Sequence, residues 1–192
     1  MTTNQKPSSG LRRWHLILLW LLAMASVPLL MDQWRHRDTP TEAPRQLLPD
    51  LDGAHLDIRR MSMETPVLVY FWATWCPVCR LVSPSVNALD EKHPVVAITL
   101  TSGPPERIAA YAREHALGFR MVNDANGHVS RAWGVRATPT IAVVYRGEIR
   151  SITSGITTLP GIMFRLWLAE HIATPTESDA QTLSTTEQES TL

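Results

Sequence analysis

Cysteine is almost absent from this chain, with two among 192 residues. Two cannot build the disulfide framework that replaces a large core in small secreted domains. They stand three residues apart, at Cys76 and Cys79. A staple gains stability with the length of the loop it closes, so this spacing argues against a purely structural bridge. Net charge is missing too: Lys plus Arg total 18, and so do Asp plus Glu. No basic surplus is left to neutralise phosphates, which removes the electrostatic case for nucleic-acid binding. No second Cys-x-x-Cys and no His-x-x-x-His accompanies the pair, whereas structural zinc usually takes four ligands. The histidines are scattered, with His55, His93, His115 and His128 in surface- or loop-like sequence. Internal repeats are lacking as well. What is there is 44% hydrophobic residues, enough for one compact domain with appendages.

One long run lacks charge, Leu16 to Met31 within "LRRWHLILLWLLAMASVPLLMDQW". At ~1.5 Å per helical residue it spans ~24 Å, short of the ~30 Å hydrocarbon core. Extending it to Trp14 and Trp34, residues suited to both membrane interfaces, brings it to ~31 Å. Residues 14–34 are therefore expected as a transmembrane signal anchor, with 1–13 as a cytoplasmic stub. A cleaved export signal is the rival, because Ala23-Met24-Ala25 has the small-x-small pattern of a cleavage site. The apolar run continues past it through Val27, Leu29, Leu30 and Met31, which favours the anchor. Lys6, Arg12 and Arg13 before the span nearly balance Arg35, Arg37 and Arg45 after it. The acid-free stub tips the orientation towards a cytoplasmic N-terminus. Everything after Met31 is then outside, where disulfide chemistry is permitted.

Residues 35–46, polar and carrying Pro40 and Pro44, are expected as a linker. Residues 174–192, rich in Thr, Ser, Glu and Gln without an aromatic, are expected as a disordered tail. Between them, over 47–173, strand and helix patterns alternate. "PVLVYFW" (Pro66–Trp72) and "VVAITL" (Val95–Leu100) are continuous apolar runs of the kind buried on both faces of a sheet. From Cys76 to about Lys92 apolar residues recur at helical spacing. "PPERIAAYAREHAL" opens with helix-start chemistry. An extended piece at Phe119–Asn123 leads to a turn at Asp124–Gly127. "TIAVVYRGEIRSITSG" holds two strand runs around Arg146-Gly147-Glu148, a hairpin signal. Leu159–Ile172 is expected as a closing amphipathic helix, with Ile162, Phe164, Leu166, Leu168 and Ile172 as its apolar set. Trp72, Trp133 and Trp167 are expected as packing. This order predicts an α/β sandwich with a mixed sheet between helices.

A buried strand running into "WCPVC" and then a helix puts Cys76 at the helix N-terminus. Unpaired backbone N–H groups and the macrodipole there favour a thiolate. Pro77 suits the first turn, where its missing N–H costs nothing. Cys79 lies one turn on, within disulfide reach. Cys76 is thus the expected accessible nucleophile, and Cys79 the sheltered thiol that resolves a mixed disulfide. Two thiolates could also hold Cu(I), which selects soft ligands, with Met61 and Met63 upstream. Arg80 stands close enough in sequence either to support the thiolate or to be a solvated surface residue.

"VLVYFWATWCPVC" resembles the active-site strand and motif of the thioredoxin superfamily. It is especially similar to the membrane-tethered periplasmic members of the suppressor of copper sensitivity D type. Pro84, five residues after Cys79, matches the helix-kinking proline, and "GVRATPT" (Gly134–Thr140) matches the segment carrying the cis-proline. Pro104–Asn123 matches the central insert of the tethered relatives. The resemblance covers roughly Leu47 to Ala173. It implies a thioredoxin-like three-layer α/β/α sandwich with a central helix–strand insert, preceded by one transmembrane helix. It also implies that Pro139 is cis and faces the cysteines, and that Trp75, Pro77, Val78, Thr138 and Pro139 contact the partner. Two departures stand out. The superfamily's buried aspartate, six residues before the first cysteine, is here Tyr70. The glutamate that some tethered relatives carry three residues after the second cysteine is here Val82. With no carboxylate at either position, the proton of Cys79 is expected to pass to water, directly or through the Tyr70 hydroxyl.

The expected function is that of a membrane-anchored thiol:disulfide oxidoreductase in the bacterial periplasm, held by the inner membrane. It would work through a redox-active Cys76–Cys79 pair and without a cofactor or metal. Protein thiols and disulfides are its expected substrates, and a membrane thiol reductase its expected electron donor. The resemblance favours the reductive direction and a part in copper tolerance. A copper(I)-binding or copper-delivery protein on the same scaffold is the alternative.

Overall fold

The structure is a computed structural model that describes residues 40–171. All of them lie in one compact unit that begins at Pro40. The stub expected at 1–13, the anchor at 14–34, the first part of the linker and the tail at 174–192 fall outside the described residues. Among the described residues no helix is long and apolar enough to cross a membrane.

In chain order the elements are β1 (Leu47–Pro49), β2 (His55–Asp57), α1 (Ile58–Met61), β3 (Val67–Trp72), α2 (Pro77–Asn87) and β4 (Val95–Leu100). They continue with α3 (Pro105–Glu114), β5 (Arg120–Asp124), α4 (His128–Ala132), β6 (Thr140–Tyr145), β7 (Glu148–Ser154) and α5 (Leu159–His171). Five strands form one mixed sheet in the order β5-β4-β3-β6-β7. β3 pairs in parallel with β4 and β4 with β5, while β6 lies antiparallel to both β3 and β7. β1 and β2 make a separate antiparallel pair.

β3 is central, and all six of its residues are buried. Alternation sends Leu68, Tyr70 and Trp72 to one face and Val67, Val69 and Phe71 to the other. The first face packs against α2, α3 and α5 through Val82, Val86, Ile108, Ile162 and Leu166. The second is covered by α1, the β1–β2 pair and the α4 region through Ile58, Leu56 and Trp133. A sheet buried on both faces explains why β3 and β4 read as unbroken apolar runs. The helix–strand unit α3–β5 occupies the expected central insert.

Several details differ from the sequence reading. α2 ends at Asn87, not near Lys92, because the chain tightens into turns with Leu89 N–H bonded to the Val86 carbonyl and Asp90 N–H to that of Asn87. In α5 the inward positions are Ile162, Leu166 and Ala169. Phe164 and Trp167, expected in the apolar packing, project to the opposite side and are 57% and 52% exposed. Within the expected linker, Glu42 bridges to Glu148, and Ala43 N–H bonds to the Gly147 carbonyl at 2.9 Å. The β6–β7 turn is the two-residue Arg146-Gly147, with φ of 54° and 78°, as a type I′ hairpin requires. Buried Ser62 accepts both of its amides, at 2.7 Å on its carbonyl and 3.0 Å on Oγ.

Asp124 connects the insert to the rest. Its carboxylate accepts the N–H groups of Val129 (3.2 Å) and Ser130 (2.8 Å) and the Ser130 hydroxyl (2.7 Å). It is nearly fully buried at the start of α4, the helix from which the chain turns towards Pro139. Charge-assisted bonds of this kind contribute more than neutral ones. Asp124→Ala is expected to destabilise the domain by about 2–4 kcal/mol, read as a shift of the urea midpoint without a change in slope.

Candidate active site

β3 ends at Trp72, and Ala73–Trp75 carries the chain across to α2. Thr74 N–H bonds to Ser102 Oγ (3.0 Å), and the Trp75 indole N–H to the Thr101 carbonyl (3.2 Å). The loop after β4 therefore clamps the approach to the cysteines. Thr101 itself has φ 39°, a left-handed conformation that a β-branched residue rarely adopts. Such outliers gather at functional sites.

Cys76 is the N-cap of α2 and Pro77 opens its first turn. The two cysteines form a disulfide, with Cα atoms 5.3 Å apart. Cys79 N–H donates to Cys76 Sγ at 3.2 Å. That amide is one of the first four of the helix, which have no intrahelical acceptor, and in the reduced protein it would stabilise a thiolate at position 76. Cys76 keeps 4% exposure and Cys79 1%. Cys76 is thus the less covered of the two, but only by a sliver in this oxidised form, because Cys76 and Cys79 both belong to the core cluster with Tyr70 and Trp72.

The Thr138–Pro139 peptide is cis. The Thr138 carbonyl oxygen lies 3.7 Å from Cys76 Sγ, which brings this segment against the cysteine pair. A disulfide sulfur has no proton to donate, so the approach is a contact here; a reduced thiol could donate across it. Gly155 N–H to the Pro139 carbonyl (2.8 Å) and Thr140 Oγ1 to the Ala137 carbonyl (2.8 Å) hold the segment in place.

Of the other residues singled out in the sequence, Trp75 is 59% exposed. Pro77 is exposed, Val78 half-buried, Thr138 half-buried and Pro139 buried. Arg80 is exposed. Trp75 and Thr138 line a shared groove of about 250 Å³ with Thr101, Ser130, Arg131 and Arg136. Sequence reasoning missed those four, since they come from the loop after β4, from α4 and from the segment leading to Pro139. The turn residues Ser102-Gly103-Pro104 after β4 are the local trace the sequence offers. Met61 packs in the cluster on the opposite face of the sheet from the cysteines, and Met63 is exposed. Among the described residues no group of three or more His, Cys, Asp or Glu could hold a metal ion.

Tyr70 sits where a carboxylate is found in the superfamily. It is fully buried, stacked 6.2 Å from Trp72, with its hydroxyl bonded to Ser83 Oγ (3.1 Å) and donating to the Cys79 carbonyl (3.3 Å). Burial pushes its pKa above the ordinary tyrosine value, against a smaller opposing effect of Ser83. The hydroxyl is therefore protonated at neutral pH, and it ties α2 to β3 instead of acting as a base. Tyr70→Phe is expected to lower stability by about 1 kcal/mol and to leave the pH profile of thiol exchange unchanged. A slower exchange at unchanged stability would put the hydroxyl in the proton path of Cys79.

Residues 40–152 match the model of the AhpC/TSA family. A "Thioredoxin-like protein" of Haemophilus influenzae is 33% identical over 150 residues, covering 78% of this chain and 90% of that protein. The "Thiol-disulfide oxidoreductase ResA" of Halalkalibacterium halodurans is 29% identical over 119 residues, covering 59% of this chain and 67% of its own. Among solved structures, dsbF of MTB in mixed oxidised and reduced forms superposes with a TM-score of 0.60 at 21% identity, over 68% of this chain and 98% of that one.

Proposed function

The chain belongs to the AhpC/TSA family of thioredoxin-like proteins, and from that membership we propose that it is a thiol:disulfide oxidoreductase acting on protein substrates. The observation that carries the proposal is the Cys79 N–H directed at Cys76 Sγ, beside the cis Thr138–Pro139 segment. A partner lays an extended segment along Thr138 and the Trp75 groove, its backbone set against that of Thr138. In the reductive direction the Cys76 thiolate attacks a partner disulfide. A Cys76–partner S–S bond forms, the partner's bond breaks, and the released partner thiolate takes a proton. Cys79, losing its proton to water, then attacks Cys76 Sγ. The Cys76–Cys79 disulfide forms, and the second partner sulfur leaves as a thiol. Two electrons have passed to the partner, and an external dithiol must restore the pair.

The uncharged run Leu16–Met31 supports a single-pass inner-membrane anchor with the domain in the periplasm. A membrane thiol reductase on the same side is then the fitting donor. Thiol exchange under copper stress suits the resemblance to the suppressor of copper sensitivity D type, since copper oxidises and mispairs thiols. A Cu(I) carrier is the rival reading, favoured only by the softness of two adjacent thiolates.

Cys79→Ser separates the two. An oxidoreductase is expected to accumulate reductant-sensitive adducts with cellular proteins, all lost when Cys76→Ser is added. A chain that forms no adducts and merely loses bound Cu(I) would be a carrier. In cells, thiol alkylation is expected to find the pair mostly reduced in the absence of copper, and a mostly oxidised pair would reverse the direction. With the reduced protein, alkylation of Cys76 is expected to reach half its maximal rate below the ordinary cysteine pKa of about 8.5.

A further inference from the structure

The final helix is apolar on two sides. Ile162, Leu166 and Ala169 face the core. Opposite them, at helical spacing, Pro160, Met163, Phe164, Trp167 and His171 form an exposed stripe. Phe164 stacks on Trp167 with centroids 6.2 Å apart, and Trp167 on His171 at 4.7 Å. The charges of the helix, Arg165 and Glu170, fall on its flanks, and Arg165 turns back to the Gly161 carbonyl. A water-facing stripe ordinarily carries charged residues, and stacked aromatics without them mark a surface that something covers.

The position of the stripe narrows what covers it. α5 starts a few residues after β7, at the end of the sheet where Gly155 reaches Pro139. It packs back along β6 and β7, so its last turns point to the opposite end, the Arg146-Gly147 hairpin. There the chain arriving from the N-terminus joins the sheet, with Ile149 N–H on the Thr41 carbonyl at 2.8 Å. Arg59 pairs with Glu42 (2.6 Å) and Arg150 with Glu148 (3.1 Å). Arg45 also lies near Glu42, and Arg146 over the Tyr145 ring. Glu64 of the adjoining loop and Glu170 on the last turn of α5 balance these arginines. Between the uncharged run ending at Met31 and the domain stand only Asp32–Thr39, a reach of about 26–29 Å fully extended.

We infer that the Phe164–Trp167 stripe lies in the interfacial layer of the bilayer to which the chain is anchored, so that the cysteine pair faces away from the membrane. This rests on the anchored reading proposed above. Tryptophan and phenylalanine suit the headgroup boundary, and Arg45 and Arg146 beside the chain entry can meet lipid phosphates. The short reach from the uncharged run to Pro40 keeps this end of the sheet near the bilayer, which favours lipid over a second copy as the occupant.

The full chain, labelled with fluorotryptophan and placed in nanodiscs of equal phosphatidylcholine and phosphatidylglycerol, tests this by fluorine NMR. The Trp167 and Trp75 resonances are assigned with Trp167→Phe and Trp75→Phe. Adding lipid with a nitroxide on its headgroup is expected to erase the Trp167 resonance and spare that of Trp75. Phe164→Asp is expected to restore the Trp167 resonance and to leave thiol exchange unaffected. A chain that stays on the discs while both resonances keep their width overturns the inference and leaves the anchor standing. A Trp167 shift that grows with copies per disc assigns the stripe to a second copy and overturns it too. A chain that leaves the discs overturns the anchored reading and this inference together.

Discussion

Everything chemical in this domain depends on one hydrogen bond, from the Cys79 amide to Cys76 Sγ. It exists because a helix begins there. The first amides of α2 have no carbonyl one turn back, and the chain places a polarisable sulfur where a Ser or Asp side chain more often caps. Pro77 follows without wasting a donor. A cap that is also the reactive atom links local folding to reactivity, since what ends the strand and starts the helix also lowers the energy of negative charge on sulfur 76.

The cap in turn requires a fixed distance between the end of β3 and the start of α2. Three anchors set it. Ser102 and Thr101 hold the crossing loop from the β4 side, the Pro139 segment closes the other flank, and Tyr70 with Ser83 fastens α2 to the sheet from beneath. A carboxylate under the helix can accept a proton from the second cysteine. A buried phenol held neutral offers no such base, and at Tyr70 it supplies attachment between helix and sheet.

Much of this was legible in the sequence, for identifiable reasons. β3 and β4 are buried on both faces, so their apolar runs were unambiguous. Cys76, Pro77 and Cys79 sit at a helix start whose chemistry is local, and the Arg146-Gly147 turn follows from glycine at a left-handed position. Where the reading failed, the deciding contacts were distant in sequence. The short β1–β2 pair and α1 have too few residues for any period to show. α5 is apolar nearly all round, so its pattern could not say which side faces the core. Phe164 belongs to the helix's apolar set and Trp167 to the expected packing, but Ile162, Leu166 and Ala169 hold the inward face. The groove beside Trp75 was invisible because its walls meet only after the sheet has formed.

The sheet also separates the molecule's tasks by its two ends. Parallel β3 and β4 deliver their C-terminal ends, with the cysteines and the Thr101 loop, to one end, and antiparallel β6 brings the cis-proline there at its start. The same antiparallel pairing sends the β6–β7 turn to the other end, where residues 41–43 enter. Chain entry and reactive sulfur are therefore about one strand length apart by topology alone, roughly 20 Å for a six-residue strand. A redox partner needs open space around the cysteines, and a chain entering beside them would occupy it. Attachment at the hairpin end leaves the groove between Trp75 and Thr138 clear, whatever lies upstream of Pro40.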